Sequence, residues 1–220
     1  MQENSSLAAA PWQLSGEGYV VAVWQSSNSN HNKQKVWRSR GQVQLLIFAH
    51  YQQSDVGTYD EILHIPNLKR GAIKGYPSIA KIYVSSMASV INGQKNWGIP
   101  KELAVFDYRS AKQATDSDVV VLKTTNQHPI AHIEFQVRGF KFPISTALIP
   151  KRLRTLVQNW QGKRFYTAPE AKGQAYLARV KSWSFDPVYF PDLSKAKVIS
   201  AIKIKDLEMV FPIADVISMS

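Results

Sequence analysis

The segment Ile130-Ala-His-Ile-Glu-Phe-Gln-Val-Arg138 decides the fold class. Ile133, Phe135 and Val137 alternate there with His132, Glu134, Gln136 and Arg138. Period two of this kind belongs to a β-strand with one buried and one wet face. Outward from it, apolar and β-branched residues fall in short runs between turn residues: Gly18–Trp24, Val43–Ala49, Ile79–Ile91, Val119–Leu122 and Tyr176–Trp183. Such a pattern predicts an antiparallel, mainly β domain. Leu153, Leu156, Val157 and Trp160 have the spacing of a helix face, but Gln161-Gly162-Lys163 followed by Arg164-Phe-Tyr-Thr167 favours a hairpin whose first strand is Thr155–Trp160. No internal repeat or long linker divides the chain, so residues 12–220 are expected to form one domain. Residues 1–11 read as a flexible lead-in, because Leu7-Ala8-Ala9-Ala10 is cut short by Pro11 and no basic segment of a secretory signal precedes it.

At 220 residues the chain is long enough to bury most of its unfolded surface. Its apolar fraction is 45% and its charged fraction 20%, and no apolar run has the length of a membrane span. Cysteine is absent, which excludes disulfides, thiolate nucleophiles and cysteine-based metal sites and suggests a reducing, cytoplasmic setting. The net charge of +11 is concentrated between Lys151 and Lys205, where twelve Lys or Arg residues face three acids, Glu170, Asp186 and Asp192. A solvated basic face accounts for this excess. Attraction of anionic small molecules is the next reading. The aromatic residues lack the spacing of an RNA-binding sheet, so neither nucleic acid nor a membrane is expected as partner.

The sequence holds no phosphate-binding glycine loop, no G-x-S-x-G elbow and no H-E-x-x-H. His128 and His132 are four apart on a strand, too far to share a metal ion, and no metal site is expected. His50 and His64 sit in apolar runs as core residues, and His31 lies in a polar loop. The distinctive segment is Asn92-Gly-Gln-Lys-Asn-Trp-Gly-Ile-Pro-Lys-Glu-Leu-Ala104. Its two glycines and proline impose a sharp change of direction that presents Lys101 from a rigid bend.

This segment resembles the active-site stretch of the acetoacetate decarboxylase-like family, where a Gly-Arg-Glu run precedes Pro-Lys-Lys-Leu and the first lysine forms a Schiff base. By position that role falls on Lys101. Gly57-Thr-Tyr-Asp-Glu-Ile-Leu-His-Ile-Pro66 resembles the segment that supplies an active-site glutamate, here Glu61. Pro11–Tyr19, Phe185-Asp186-Pro187 and Phe190-Pro191-Asp192 are similar to an uncharacterised subgroup of the family. The resemblance implies a β-rich α+β fold, a single antiparallel β-barrel or cone with a buried central pocket, and a homo-oligomer. It also implies a lyase that needs no cofactor and acts through a Lys101 imine on a keto acid or related carbonyl compound. A small-molecule binding protein of the same fold is the alternative. Tyr59, Trp97 and Glu102 flank the two candidate positions and are expected to line the substrate pocket. Glu102 stands where the decarboxylases carry a second lysine. Before Trp24, where they hold an arginine associated with the substrate carboxylate, the nearest alignment gives Glu17.

Overall fold

The computed structural model describes residues 7–25, 41–68, 73, 75–113 and 116–219, so His31 and the first six residues of the lead-in lie outside the described residues. The strands are β1 (Trp12–Gln25), β2 (Gln42–Gln53), β3 (Tyr59–Ile65), β4 (Lys81–Val84), β5 (Glu102–Leu103), β6 (Val105–Arg109), β7 (Asp118–Lys123), β8 (Pro129–Ser145), β9 (Leu156–Trp160), β10 (Lys163–Thr167), β11 (Glu170–Phe185), β12 (Lys197–Phe211) and β13 (Asp215–Ser218). The helices are α1 (Met87–Trp97) and the single turn α2 (Lys151–Arg154).

Ten strands form one sheet in the order β5-β4-β3-β2-β1-β12-β11-β8-β7-β6. Its two edge strands, β5 and β6, are consecutive in the chain and joined by Ala104 alone, which brings the sheet round into a nearly closed barrel. All neighbours in it are antiparallel except the short β4–β5 pair. The alternation in β8 does what its period requires: Ile133 and Phe135 are fully buried, while Glu134 and Gln136 remain partly solvated. Inward residues from around the barrel, including Val21, Phe48, Ile62, Tyr83, Leu122 and Phe135, meet in one apolar cluster. A second cluster lies on the opposite face of the β1–β4 wall, where Trp12, Tyr51, Tyr59, Leu63 and Val84 pack with Trp97 of α1.

The expected hairpin is present as β9 and β10, with Gln161 and Gly162 both at positive φ in a two-residue turn. With β13 they form a separate three-stranded sheet. Ile79–Ile91, expected as one β-like run, is instead two elements. The strand ends at Val84, and Ser86 caps a helix by accepting a hydrogen bond from the Ser89 amide. Ala8, expected to belong to a flexible lead-in, is tied to that helix. The Ala8 amide donates to Asn92 Oδ1, and the Ala8 carbonyl accepts from Asn96 Nδ2 and from Trp12 Nε1.

Candidate active site

Helix α1 and the bend after it position Lys101. The helix ends at Gly98 in the left-handed conformation, φ 61°, where its amide donates to the Gln94 carbonyl. A side chain at Gly98 would also collide with Phe165 and Trp160. The Ile99 amide reaches back to the Gly93 carbonyl, the Lys101 amide to that of Ile99, and Gln94 Nε2 donates to the Lys101 carbonyl. The backbone of Lys101 is thus clamped to the last turn of the helix, and its side chain runs back along it. Gly93 makes the passage: a Cβ there would lie 2.7 Å from Lys101 Cδ and 2.8 Å from Cε. The segment's two glycines therefore have different tasks, Gly98 to turn the chain and Gly93 to admit the lysine stem.

The ammonium of Lys101, 5% exposed, donates to Glu61 Oε2 at 2.7 Å and to Ser89 Oγ at 3.0 Å. Glu61 stands on β3 opposite Ala49 and Val84, facing away from the lumen, whereas the next residue, Ile62, faces into it. The pair therefore lies between the barrel wall and α1, and inward-facing side chains pack the lumen itself. Aromatic rings enclose it: the Tyr59 ring centre is 5.2 Å and the Trp12 ring 6.0 Å from Lys101 Nζ. Burial first, and then the negative charge of Glu61, push the phenols of Tyr51 and Tyr59 well above their usual range, so both remain protonated donors. The result is a buried site walled by uncharged side chains, holding one amine and one carboxylate. That is the donor set for covalent carbonyl chemistry with an adjacent proton acceptor.

Of the expected site residues, the fold brings together Lys101, Glu61 and Tyr59. Two expected pocket residues are corrected. Glu102 follows Lys101 on extended backbone, so it points to the other side and pairs at the surface with Lys81 Nζ at 2.6 Å. Trp97 is buried in the packing between helix and sheet, edge-on to Trp12 at 4.9 Å and against Phe211, and its indole donates to the Pro212 carbonyl. Ser89, Trp12 and Tyr51 were not anticipated. Ser89, Gly93 and Trp97 recur every four residues on the buried face of α1, a signal available once the helix is recognised.

Three solved structures share this architecture. An acetoacetate decarboxylase from Legionella pneumophila subsp. pneumophila str. Philadelphia 1 superposes with a TM-score of 0.69 over 96% of this chain and 88% of that chain, at 15% identity. The fold is that of acetoacetate decarboxylase. A second acetoacetate decarboxylase structure matches at TM-score 0.62 and 13% identity, over 99% of this chain and 96% of that one. An acetoacetate decarboxylase-like enzyme from Sphingomonas wittichii RW1 matches at TM-score 0.63 and 10% identity, over 100% of this chain and 97% of that one. No family model matches the sequence and no curated protein matches it.

Within the acetoacetate decarboxylase fold the lumen carries a second buried lysine. Lys203, 2% exposed, pairs with Asp118 at 2.5 Å and with Glu17 at 3.3 Å, while Tyr19 donates to Asp118 at 2.8 Å and Tyr108 to Glu17 at 2.5 Å. Burial alone would raise the Asp118 carboxyl. The Lys203 ammonium and the Ala111 amide outweigh it and hold the group below its usual value. Glu17, in register with His50 and Asp60 one step from Gly18, Ala49 and Glu61, faces the opposite side of the wall from Lys101. His50 is paired with Asp60 at 2.7 Å rather than enclosed in the core. His64 is buried, and its Nε2 meets Gln44 Oε1 at 2.7 Å. Among the described residues no cluster of three or more metal-ligating side chains occurs, and no helix is long and apolar enough to cross a membrane.

Proposed function

We propose that this protein is an imine-forming carbon–carbon lyase of the acetoacetate decarboxylase type, with Lys101 as nucleophile and Glu61 as its proton acceptor and donor. The observation that carries the reading is the 2.7 Å hydrogen bond between Lys101 Nζ and Glu61 Oε2, buried on the fold of these decarboxylases. Glu61 takes a proton from Nζ, and the neutral amine adds to the carbonyl carbon of a keto acid or related compound. Glu61 returns that proton to the carbinolamine oxygen, water leaves, and the iminium remains beside the carboxylate. The cationic nitrogen then accepts the electron pair of the bond broken at the α carbon, giving an enamine that is reprotonated and hydrolysed to free Lys101. Ser89 Oγ, 3.0 Å from Nζ, orients the amine for attack. No cofactor enters this sequence.

A second reading, a protein of the same fold that binds a small carbonyl ligand without turnover, draws on the enclosure of the pair, since Lys101 is only 5% exposed. Intact-protein mass spectrometry after borohydride reduction with a panel of ketones, aldehydes and keto acids separates the two. The lyase reading predicts a reduced adduct in wild type that is missing in Lys101→Ala. Panel compounds that bind without forming any Lys101-dependent adduct would favour the binder.

A further inference from the structure

We propose that Leu7–Pro11 is a strap that closes the Lys101 site, and that a small carbonyl compound reaches the amine when Ala8 lifts off α1. The proposal rests on the imine reading above only for the kind of compound admitted. Ser89, Asn92 and Asn96 stand three and four residues apart along one face of α1. Ser89 Oγ touches the amine at 3.0 Å, and the next two positions hold the strap. The Ala8 amide donates to Asn92 Oδ1 at 2.9 Å, and the Ala8 carbonyl accepts from Asn96 Nδ2 at 2.8 Å. The same carbonyl accepts from Trp12 Nε1 at 3.1 Å, and the Trp12 ring stands 6.0 Å from Lys101 Nζ. Ala8 thus joins the helix beside the lysine to the ring that covers it.

The elements around the amine differ in how they are held. Glu61 stands in a strand paired on both sides, with Ala49 and Val84 as its neighbours. The Lys101 backbone is clamped to the last turn of α1. Ala8 is held instead by side chains, two asparagines and an indole. Ala8, Ala9 and Ala10 carry single methyl groups, so lifting the strap breaks three hydrogen bonds but exposes little apolar surface. Trp12 stays in β1, in register with Phe211, while its indole N–H is released from Ala8. On the solvent side a groove of about 440 Å³ already runs along the strap, with Ala9, Ala10, Lys95, Asn96 and Ile213 in its lining. A lifted strap opens this groove onto the face of α1 that carries Asn92 and Ser89, and so onto the amine. Its return shields the adduct from solvent.

The test labels the protein with methyl acetimidate, a small imidoester whose carbon is attacked by a neutral amine while methanol leaves, so that no imine is needed. Peptide mapping follows the rate at Lys101, with exposed Lys172 as reference. Asn96→Ala and Ala8→Pro each remove one hydrogen bond of the strap, the second by deleting the amide donor. Each variant is expected to label Lys101 roughly 2- to 12-fold faster than wild type, the gain in open population when one hydrogen bond is lost, with Lys172 unchanged. The Lys101 rate is expected to stay nearly flat in urea below the unfolding transition, because a lifting strap exposes little surface. A wild-type rate at Lys101 in either variant, or a rate that climbs with urea as steeply as unfolding itself, would overturn the strap and leave the imine reading standing. Absence of any Lys101-dependent adduct in borohydride trapping would overturn the imine reading and leave the labelling result intact.

Discussion

Substituting Gly93 by alanine separates the site from the stability of the fold. The new Cβ would sit 2.7 Å from Lys101 Cδ, about 0.7 Å inside ordinary contact at 3.4 Å. Helix α1 is fixed at both ends, by the Ser86 cap and the Gly98 turn, so the lysine stem is the part that yields. A displacement of that size carried to Nζ lengthens its 2.7 Å bond to Glu61 to about 3.4 Å, the weak end of hydrogen-bonding range. Alanine gains about 1 kcal/mol of helix propensity over glycine and overpacking costs about 1–3 kcal/mol, so net destabilisation is about 0–2 kcal/mol. Misplacing the amine by such a distance slows its reaction about 10- to 100-fold. Urea unfolding and the rate of borohydride trapping are measured on the same preparation. Wild-type trapping by a folded Gly93→Ala protein would refute the idea that the lysine stem is held by its passage over Gly93.

Four further outcomes are expected. Glu61→Gln leaves the Lys101 charge buried without its counterion and destabilises the protein by about 3–5 kcal/mol in urea titrations; a loss under about 1 kcal/mol would mean the pair is solvated. Lys203→Met strands Asp118 in the lumen. The Asp118 carboxyl is held low in the folded state, so its contribution is present above the unfolded carboxylate range and lost as pH falls through the lower folded value. Removing Lys203 should move the acid unfolding midpoint upward, and an unchanged midpoint would contradict that. Burial lowers the His64 pKa to about 4. The unfolded chain therefore binds the extra proton between pH 6.5 and 4, and stability falls by about 3 kcal/mol as pH drops through that window. His64→Gln should flatten the stability–pH curve there; an unaltered slope would assign it to other groups. Glu102→Ala removes only a surface partner of Lys81 and should change stability by less than about 1 kcal/mol and leave trapping unchanged; slowed trapping would return Glu102 to the site.

The alternation from Ile130 to Arg138 and the Gln161-Gly162 turn were legible because strand period and turn chemistry are local properties. Helix α1 was not. Ile82, Tyr83 and Val84 belong to a strand, and the switch to a helix rests on one capping serine that also reads as an ordinary strand residue. Missing the helix hid Ser89, whose place beside Lys101 comes from sharing a face with Gly93 four residues on. Trp12 and Tyr51 reach the site from β1 and β2 through sheet register, which no local pattern encodes. The same is true of Lys203, which follows the alternation of β12 onto the inner face and meets partners 85 and more residues away. Glu102 shows the converse: it is next to Lys101 in sequence, yet adjacent residues on extended backbone diverge, and it pairs at the surface with Lys81.

The most direct measurement is peptide mapping of the wild-type protein after borohydride reduction with ethyl acetoacetate, which assigns the modified lysine. An imine-forming site predicts that the adduct sits on Lys101, despite its 5% exposure, ahead of exposed lysines such as Lys95 and Lys172. Modification spread over the exposed lysines, with Lys101 untouched, would contradict it.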